Sequence, residues 1–282
     1  MGKLISGKDL AVSIKSDIMK FVEERLEKEL SIPKIASILV GCDGGSIFYL
    51  NSQEKIAKSL GLQFERIELS EDINEDILID KIRELNNDVH ISGIILQLPL
   101  PKGMDEKKVI SEISPKKDID CLTYENQGRL YMGEKSFIPC TPKSVITIIK
   151  SIGIDLEGLE VVVLGRSNIV GKPVSTLMLK ENCTVTVCHS RTKNLKEVCK
   201  RADILIVAIG KAKFIDDSYI KEGATVVDVG TSSLNGKITG DVDFENVINK
   251  AAFVTPVPGG VGAMTTTLLM KNACEALINN ED

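Results

Sequence analysis

Glu160-Val-Val-Val-Leu-Gly-Arg-Ser-Asn-Ile-Val-Gly-Lys-Pro173 is the stretch on which the fold turns. Val161 to Leu164 form a short apolar run, rich in β-branched residues, that reads as a buried strand. It runs directly into a turn opened by Gly165. The turn leads to Gly171, Lys172 and Pro173, and proline suits the first turn of a helix. A strand, a glycine-bounded turn and a helix start together make an anion site. The free backbone N–H groups and the positive end of the helix dipole point at whatever the turn holds. In α/β proteins the usual occupant is the pyrophosphate of a dinucleotide. The loop alone does not separate this from an ordinary βα turn, because Ser167 stands where a second fingerprint glycine is expected.

The next strand narrows the choice. Thr184-Val-Thr-Val-Cys188 alternates β-branched residues and ends in His189-Ser190-Arg191-Thr192. An NAD site usually closes this strand with Asp or Glu, which holds the ribose 2′-hydroxyl. Here a hydroxyl and a guanidinium take that place. Arg191 and Ser190 suit a 2′-phosphate, with Arg166 reaching across from the loop. A solvated turn arginine is the plainer alternative for Arg191. Together the two strand ends favour NADP over NAD.

Composition sets outer limits. The chain has 282 residues, 43% hydrophobic and 27% charged, which is enough for two domains with their own cores. A net charge of −5 argues against a nucleic-acid surface. No apolar run approaches the roughly eighteen residues of a membrane span, and Met1 to Ser31 does not read as a signal sequence. The expectation is a protein of the cytoplasm. Seven scattered cysteines, none in a Cys-x-x-Cys pair, and two distant histidines, His90 and His189, argue against a metal site. Most of the thiols are expected to pack as small hydrophobes.

Two βα blocks follow from the periodicity. The first has a helix over 9–30, a strand at 35–40, a helix opened by Ser46 and closed by Gly61, a strand at 64–69, a helix at 75–85 and a strand at 92–98. The second has a helix after Pro142 and strands at 161–164, 184–188, 204–209, 225–229 and about 252–255. Strand and helix in alternation imply mainly parallel sheets, so the fold class is α/β with a Rossmann-type second domain. Pro115–Pro142 reads as a junction, and a last helix over 265–279 is expected to return to the first domain.

Three features of the first block look chemical. Tyr49 and Gln53 lie at i and i+4 on one helix, hence on one face. Gln97 ends the apolar strand Gly93-Ile-Ile-Leu and needs partners if buried. Asp118 and Asp120 place two carboxylates at the junction. Each feature has a structural reading: a surface tyrosine, a strand-end amide, an acidic turn. The run Thr255-Pro-Val-Pro-Gly-Gly-Val-Gly262 is harder to explain structurally, since Gly259, Gly260 and Gly262 let a backbone approach a flat ligand closely.

These motifs, in this order, resemble the methylenetetrahydrofolate dehydrogenase/cyclohydrolase family. Val40-Gly41 through Ser46 and Tyr49 match, as do Gly93–Pro101, Lys117–Asp120 and Pro139–Pro142. So do Gly165-Arg-Ser with Val170-Gly171, and Thr255–Gly262. The resemblance covers nearly the whole chain. It implies a homodimer that oxidises 5,10-methylenetetrahydrofolate with NADP and, in bifunctional members, hydrolyses the methenyl product to 10-formyltetrahydrofolate. It implies a folate-binding catalytic domain over 1–120 plus 265–282 and an NADP-binding domain over 121–264. By position, Tyr49 stacks on the folate, Asp120 accepts from the pterin amino group and ring nitrogen, and Gln97 lies beside the one-carbon unit. Gly165, Arg166, Ser167, Ser190 and Thr231 match cofactor-contacting positions, and the loop carrying Gly259 and Gly260 lies near the nicotinamide.

One departure carries chemistry. The resemblance places a lysine four residues after the tyrosine in bifunctional members, and here that residue is Gln53. A lysine of lowered pKa can move a proton during hydration of the methenyl carbon, whereas an amide cannot at neutral pH. Lys55 lies six residues from Tyr49, about 240° around the helix, and faces elsewhere. The expectation is therefore a dehydrogenase with weak or absent cyclohydrolase activity. A fully bifunctional enzyme and a non-catalytic folate- or nucleotide-binding protein are the alternatives. Cys121, Ala212 and Ala263 are further departures, standing where Gly, Pro and Pro are usual.

Overall fold

A computed structural model describes residues 2–234 and 236–281; Met1, Asn235 and Asp282, which include both ends of the expected domain ranges, lie outside the described residues. The chain opens with β1 (Lys3–Leu4) and α1 (Gly7–Glu27). It then alternates β2 (Lys34–Val40), α2 (Gly44–Ser59), β3 (Gln63–Leu69), α3 (Glu75–Asn87) and β4 (Gly93–Leu96). Helices α4 (Glu106–Ser111), α5 (Tyr124–Met132) and α6 (Cys140–Ser151) follow. Next come β5 (Glu160–Leu164), α7 (Gly171–Lys180), β6 (Thr184–Cys188), α8 (Leu195–Cys199), β7 (Ile204–Val207) and β8 (Thr225–Asp228). The short antiparallel pair β9 (Ser232–Leu234) and β10 (Lys237–Thr239) precedes α9 (Phe244–Val247), β11 (Phe253–Val254) and α10 (Gly262–Glu281).

The contacts divide the chain into two compact units. One takes Met1–Val12 with Pro139–Thr265, the other Ser13–Ile138 with Thr266–Asp282. This division differs from the domain ranges expected from sequence. Residues 121–138 join the first block because Asp118 anchors the start of α5, with its Oδ2 accepting from Thr123 N at 2.9 Å. The first residues join the second block because β1 pairs in parallel with β11, Lys3 opposite Phe253. The Pro115–Pro142 segment is also more ordered than a junction. Thr123 caps α5, and Gly133, at φ 76°, ends it in the left-handed conformation that glycine adopts without strain.

In the first-block unit, three parallel strands run in the order β3-β2-β4. Ile35, Ala36 and Ile38 of β2 are wholly buried, as a central parallel strand requires. Helix α3 covers one face with Leu78, Ile79, Ile82 and Leu85, the apolar stripe of an amphipathic helix. Each such side chain contributes roughly 1.5–3 kcal/mol of burial. The chain leaves β2 for β3 and then crosses to β4 on the other side. The carboxyl ends of β2 and β4 therefore flank a topological switch point, where such sheets bind ligands.

The second unit holds a six-stranded, wholly parallel sheet ordered β1-β11-β8-β7-β5-β6. Strand β5 sits between β6 and β7, so its carboxyl end is the switch point of this sheet. Leu164 pairs with Cys188 on one side and Val207 on the other. Six of the seven cysteines are buried and only Cys42 is exposed. Among the described residues, no helix is long and apolar enough to cross a membrane, and no group of His, Cys, Asp and Glu could hold a metal.

Candidate functional site

Helix α2 presents the first set of side chains. Its N-cap is Asp43, not Ser46 as the sequence reading had it: Asp43 Oδ1 accepts from Ser46 N at 2.9 Å and Ser46 Oγ at 3.0 Å. These bonds hold the Asp43 carboxyl below its ordinary pKa, the Ser46 backbone bond foremost. The single hydroxyl proton of Ser46 is shared between Asp43 Oδ1 and Leu98 O, the latter at 3.1 Å. That bond ties the helix start to the segment after β4.

One turn further on, Tyr49 is 57% exposed, its ring edge-on to Phe48 at 5.9 Å. Gln53, on the same face, is buried. Gln97 follows β4 and is buried as well, with its backbone N–H bonded to Ile38 O. Its side-chain Nε2 donates to Gln53 Oε1 at 2.7 Å and to Ser37 Oγ at 2.9 Å. Two amides and a hydroxyl are thus linked through Gln97 Nε2, with Gln53 one helical turn from the exposed Tyr49. Lys55 is exposed on another face of α2.

The two junction carboxylates separate. Asp118 is 1% exposed and accepts four bonds: from Leu122 N, Thr123 N, Thr123 Oγ1 and Asn126 Nδ2, at 2.7–3.0 Å. It is an anchor for α5. Asp120 is half-buried, in the segment brought beside β4 by the Ile94–Asp118 bridge. Between them and α3, Lys117 is buried with Nζ donating to Leu85 O and Asp88 O at 2.9 and 2.6 Å, and desolvation lowers its pKa. Cys121 takes φ 57°, which explains why glycine is the easier residue there. Burial pushes its thiol pKa well up.

The second set lies in the other unit, at the carboxyl ends of β5 and β6. Gly165 N donates to Cys188 O at 2.9 Å, which brings the two strand ends side by side. A methyl group on Gly171 would lie 2.3 Å from Gly165 O, so the two glycines let the turn close on itself. Ser167 Oγ accepts from Val170 N at 3.2 Å. The main-chain N–H groups of Arg166, Ser167 and Asn168 carry no hydrogen bond among the described residues. They lie in the turn that leads into α7 (Gly171–Lys180), whose N-terminus carries the positive end of the helix dipole. The side chains of Arg166, Ser167, Ser190 and Arg191 are all exposed, as is Thr231 after β8. Arg191 N bonds to His189 Nδ1 at 3.2 Å, which shapes the turn that carries both residues.

The glycine-rich loop packs on the start of α1. Lys8 N donates to Gly259 O at 3.2 Å, and a methyl on Gly7 would lie 2.0 Å from Gly260 O. Gly262 opens α10, three residues earlier than the sequence implied. Sequence reasoning missed Ser37. Its only local signal is a hydroxyl inside the apolar run Lys34-Ile-Ala-Ser-Ile-Leu-Val40.

Known proteins match at both units. Residues 5–120 match the tetrahydrofolate dehydrogenase/cyclohydrolase catalytic domain, and residues 139–281 the NAD(P)-binding domain of the same family. The bifunctional protein FolD of Clostridium botulinum (strain Alaska E43 / Type E3) is 67% identical over 282 residues, covering all of both chains. The crystal structure of the bifunctional FolD methylenetetrahydrofolate dehydrogenase/cyclohydrolase from Campylobacter jejuni superposes with a TM-score of 0.96 at 39% identity, over 99% of each chain. The Trypanosoma brucei FolD dehydrogenase-cyclohydrolase, complexed with NADP cofactor and inhibitor, gives 0.92 at 32% identity over 99% of this chain and 98% of its own. The chain belongs to the tetrahydrofolate dehydrogenase/cyclohydrolase family.

Proposed function

We propose that this protein oxidises 5,10-methylenetetrahydrofolate to 5,10-methenyltetrahydrofolate with NADP, and that its cyclohydrolase activity is weak or absent. The observation that carries the reading is the bond from Gln97 Nε2 to Gln53 Oε1. It puts a neutral amide, with no titratable proton, where the family resemblance expects an ammonium. Hydride transfer asks for the folate carbon and the nicotinamide to be held close and aligned, which amides can do. Hydration of the methenyl carbon asks for a proton to be moved, which they cannot.

The residues fit a dinucleotide. Among the described residues the N–H groups of Arg166, Ser167 and Asn168 are uncommitted, and Gly165 and Gly171 keep side chains out of the turn. Arg191 and Ser190 are the groups for a 2′-phosphate, with Arg166 beside them on the neighbouring strand end. When bound, the cofactor supplies the hydride acceptor. On the folate side, Tyr49 offers its exposed ring for stacking and Asp120 a carboxylate for the pterin's paired donors. Gln97 fixes the one-carbon unit, its orientation held by Ser37 and Gln53. The reading includes a homodimer, supported by the open edge of β6 on the large sheet.

The experiment is a paired assay on one preparation. NADP reduction with methylenetetrahydrofolate should be robust, while methenyltetrahydrofolate should disappear at about the uncatalysed rate. Rapid hydrolysis would favour a bifunctional enzyme, the description carried by the Clostridium and Campylobacter relatives. No reduction with either NADP or NAD would leave a binding protein.

A further inference from the structure

The two most buried carboxylates of the NAD(P)-binding unit take no part in the chemistry described so far. Asp241 is 0% exposed and Asp228 3% exposed. Among the described residues, neither forms an ion pair. Asp241 Oδ2 instead accepts from Ile209 N at 2.7 Å and Gly210 N at 2.9 Å, and its Oδ1 accepts from Lys211 N at 2.6 Å. Asp228 Oδ1 accepts from Gly230 N at 2.9 Å and from Asp241 N at 3.0 Å, and its Oδ2 from Val242 N at 2.9 Å. Six main-chain donors converge on two carboxylates that lie one behind the other.

Space has been kept for them. A methyl on Gly230 would lie 2.2 Å from the Asp241 carboxyl carbon, and one on Gly240 would lie 1.9 Å from Asp228 Oδ2. Neither glycine has the positive φ that would by itself call for glycine. The carboxylates, not the backbone conformation, account for both. A carboxylate is also the side chain that can collect three N–H groups while offering no donor of its own. Burying two of them without a cation is costly, and hydrophobic residues would fill the same volume more cheaply. What they deliver is placement.

The loops they hold are the ones that end β7 and β8. These are strand carboxyl ends beside the switch point at β5. Ala208 O, immediately before the three clamped N–H groups, lies 2.2 Å from where a methyl on Gly165 would be. The clamp on 209–211 therefore sets the wall against which the phosphate turn closes. Gly230, held by Asp228, is followed directly by Thr231.

We propose that Asp241 and Asp228 are positioning residues for the cofactor site, fixing the 208–211 and 230–231 loops so that Gly165 and Thr231 meet the dinucleotide in a preset geometry. The proposal rests on the assignment of the cofactor to this unit. Asp228 acts through Asp241 and Gly230, and neither carboxylate touches the ligand.

The test uses Asp241→Asn, which keeps the shape but turns one acceptor into a donor facing N–H groups. It also uses Gly230→Ala, which displaces the carboxylate without removing it. NADPH binding is followed by fluorescence titration, and amide hydrogen exchange of the cofactor-free proteins reads the loops directly. Losing one charged hydrogen bond predicts NADPH binding weaker by about 10-fold or more in both variants. Exchange at 209–211 should be faster by a similar factor, and the KM for methylenetetrahydrofolate nearly unchanged. In the wild-type protein, NADPH should further slow exchange at 209–211 and 230, a reading that survives if either variant fails to fold. Variants with faster loop exchange but wild-type NADPH affinity would overturn the proposal, as would wild-type loops indifferent to NADPH. If wild-type protein bound no NADPH at all, the cofactor assignment itself would fall, and the proposal with it.

Discussion

Replacing Gln53 by lysine inverts one hydrogen bond and adds one proton donor. In the wild-type protein Gln97 Nε2 donates to both Gln53 Oε1 and Ser37 Oγ, at 2.7 and 2.9 Å. An ammonium only donates, so in Gln53→Lys the Gln97 amide must turn over and offer Oε1. Ser37 can follow, because a hydroxyl donates as readily as it accepts. A neutral bond worth about 1 kcal/mol becomes a bond to a charged group worth about 1.5–3 kcal/mol. Against this gain stands desolvation. Gln53 is 8% exposed, and an ammonium there loses on the order of several kcal/mol of hydration. The net loss is about 1–3 kcal/mol, small beside the ~5–15 kcal/mol of a typical domain, so the variant should fold. The same desolvation lowers the lysine pKa, which is what proton transfer near neutral pH requires. Methenyltetrahydrofolate hydrolysis, followed by loss of the methenyl absorbance, should then rise at least ~10²-fold, the low end for a general acid–base group. NADP reduction should change by less than about 10-fold, since positioning is kept. A folded, NADP-reducing Gln53→Lys protein with no gain in hydrolysis would refute the reasoning and shift the deficit to Cys121, Ala212 or Ala263.

Two further outcomes are expected. Arg191→Ala should raise the KM for NADP by roughly 10- to 100-fold, the value of one charge-assisted bond, and leave the KM for NAD unchanged; equal effects on both would undo the 2′-phosphate assignment. Burial pushes Asp228 up to about 6 from 3.8, with the nearby Asp241 carboxylate adding to the shift and the N–H groups of Val242, Asp241 and Gly230 opposing it. A raised carboxyl pKa means that the folded state binds the proton more tightly than the unfolded chain between those values. Asp228 therefore stabilises the fold most below pH 4, and that contribution is lost as pH rises through 6, by about 3 kcal/mol in all. Asparagine mimics the protonated acid, so the stability deficit of Asp228→Asn in urea melts should narrow from pH 4 to pH 7. A constant deficit would mean that the three N–H bonds keep the carboxylate ionised and that burial does not win.

What the sequence made legible were features whose causes are local. Val161 to Leu164 announce a buried strand by themselves, and the Gly165–Gly171 turn requires glycine within a few residues of where it is used. Helix α3 shows its acidic first turn and its apolar stripe within thirteen consecutive residues, with the capping Asn74 just before them. What stayed hidden depends on partners far along the chain. Strand β1 is two residues long and exists because β11, some 250 residues away, is there to pair with it. Ser37 is one hydroxyl in an apolar strand until Gln97 reaches it across 60 residues. Asp241 is one more acidic residue in a loop until three N–H groups from about 30 residues upstream arrive at it. Tyr49 and Gln53 fall between these cases, since helical spacing gave their shared face but not the burial of one and exposure of the other.

Asp118 and Asp120 show most sharply why residue type and spacing are not enough. Two positions apart in the same acidic turn, they read alike. The chain after Asp118 folds back so that Leu122 N and Thr123 N both reach its carboxylate, and the Thr123 hydroxyl and Asn126 amide complete a set of four donors. All four come from within eight residues, and Thr123 is at once the cap of α5 and a donor to Asp118. The pattern Asp-x-x-x-Leu-Thr-x-x-Asn was therefore present in the sequence, and a reading that found α5 would have found the role of Asp118 with it. A carboxylate whose acceptor sites are filled by its own neighbours has little left for a ligand. Asp120 is only half-buried, so of the two carboxylates it is the one proposed here for the pterin contact.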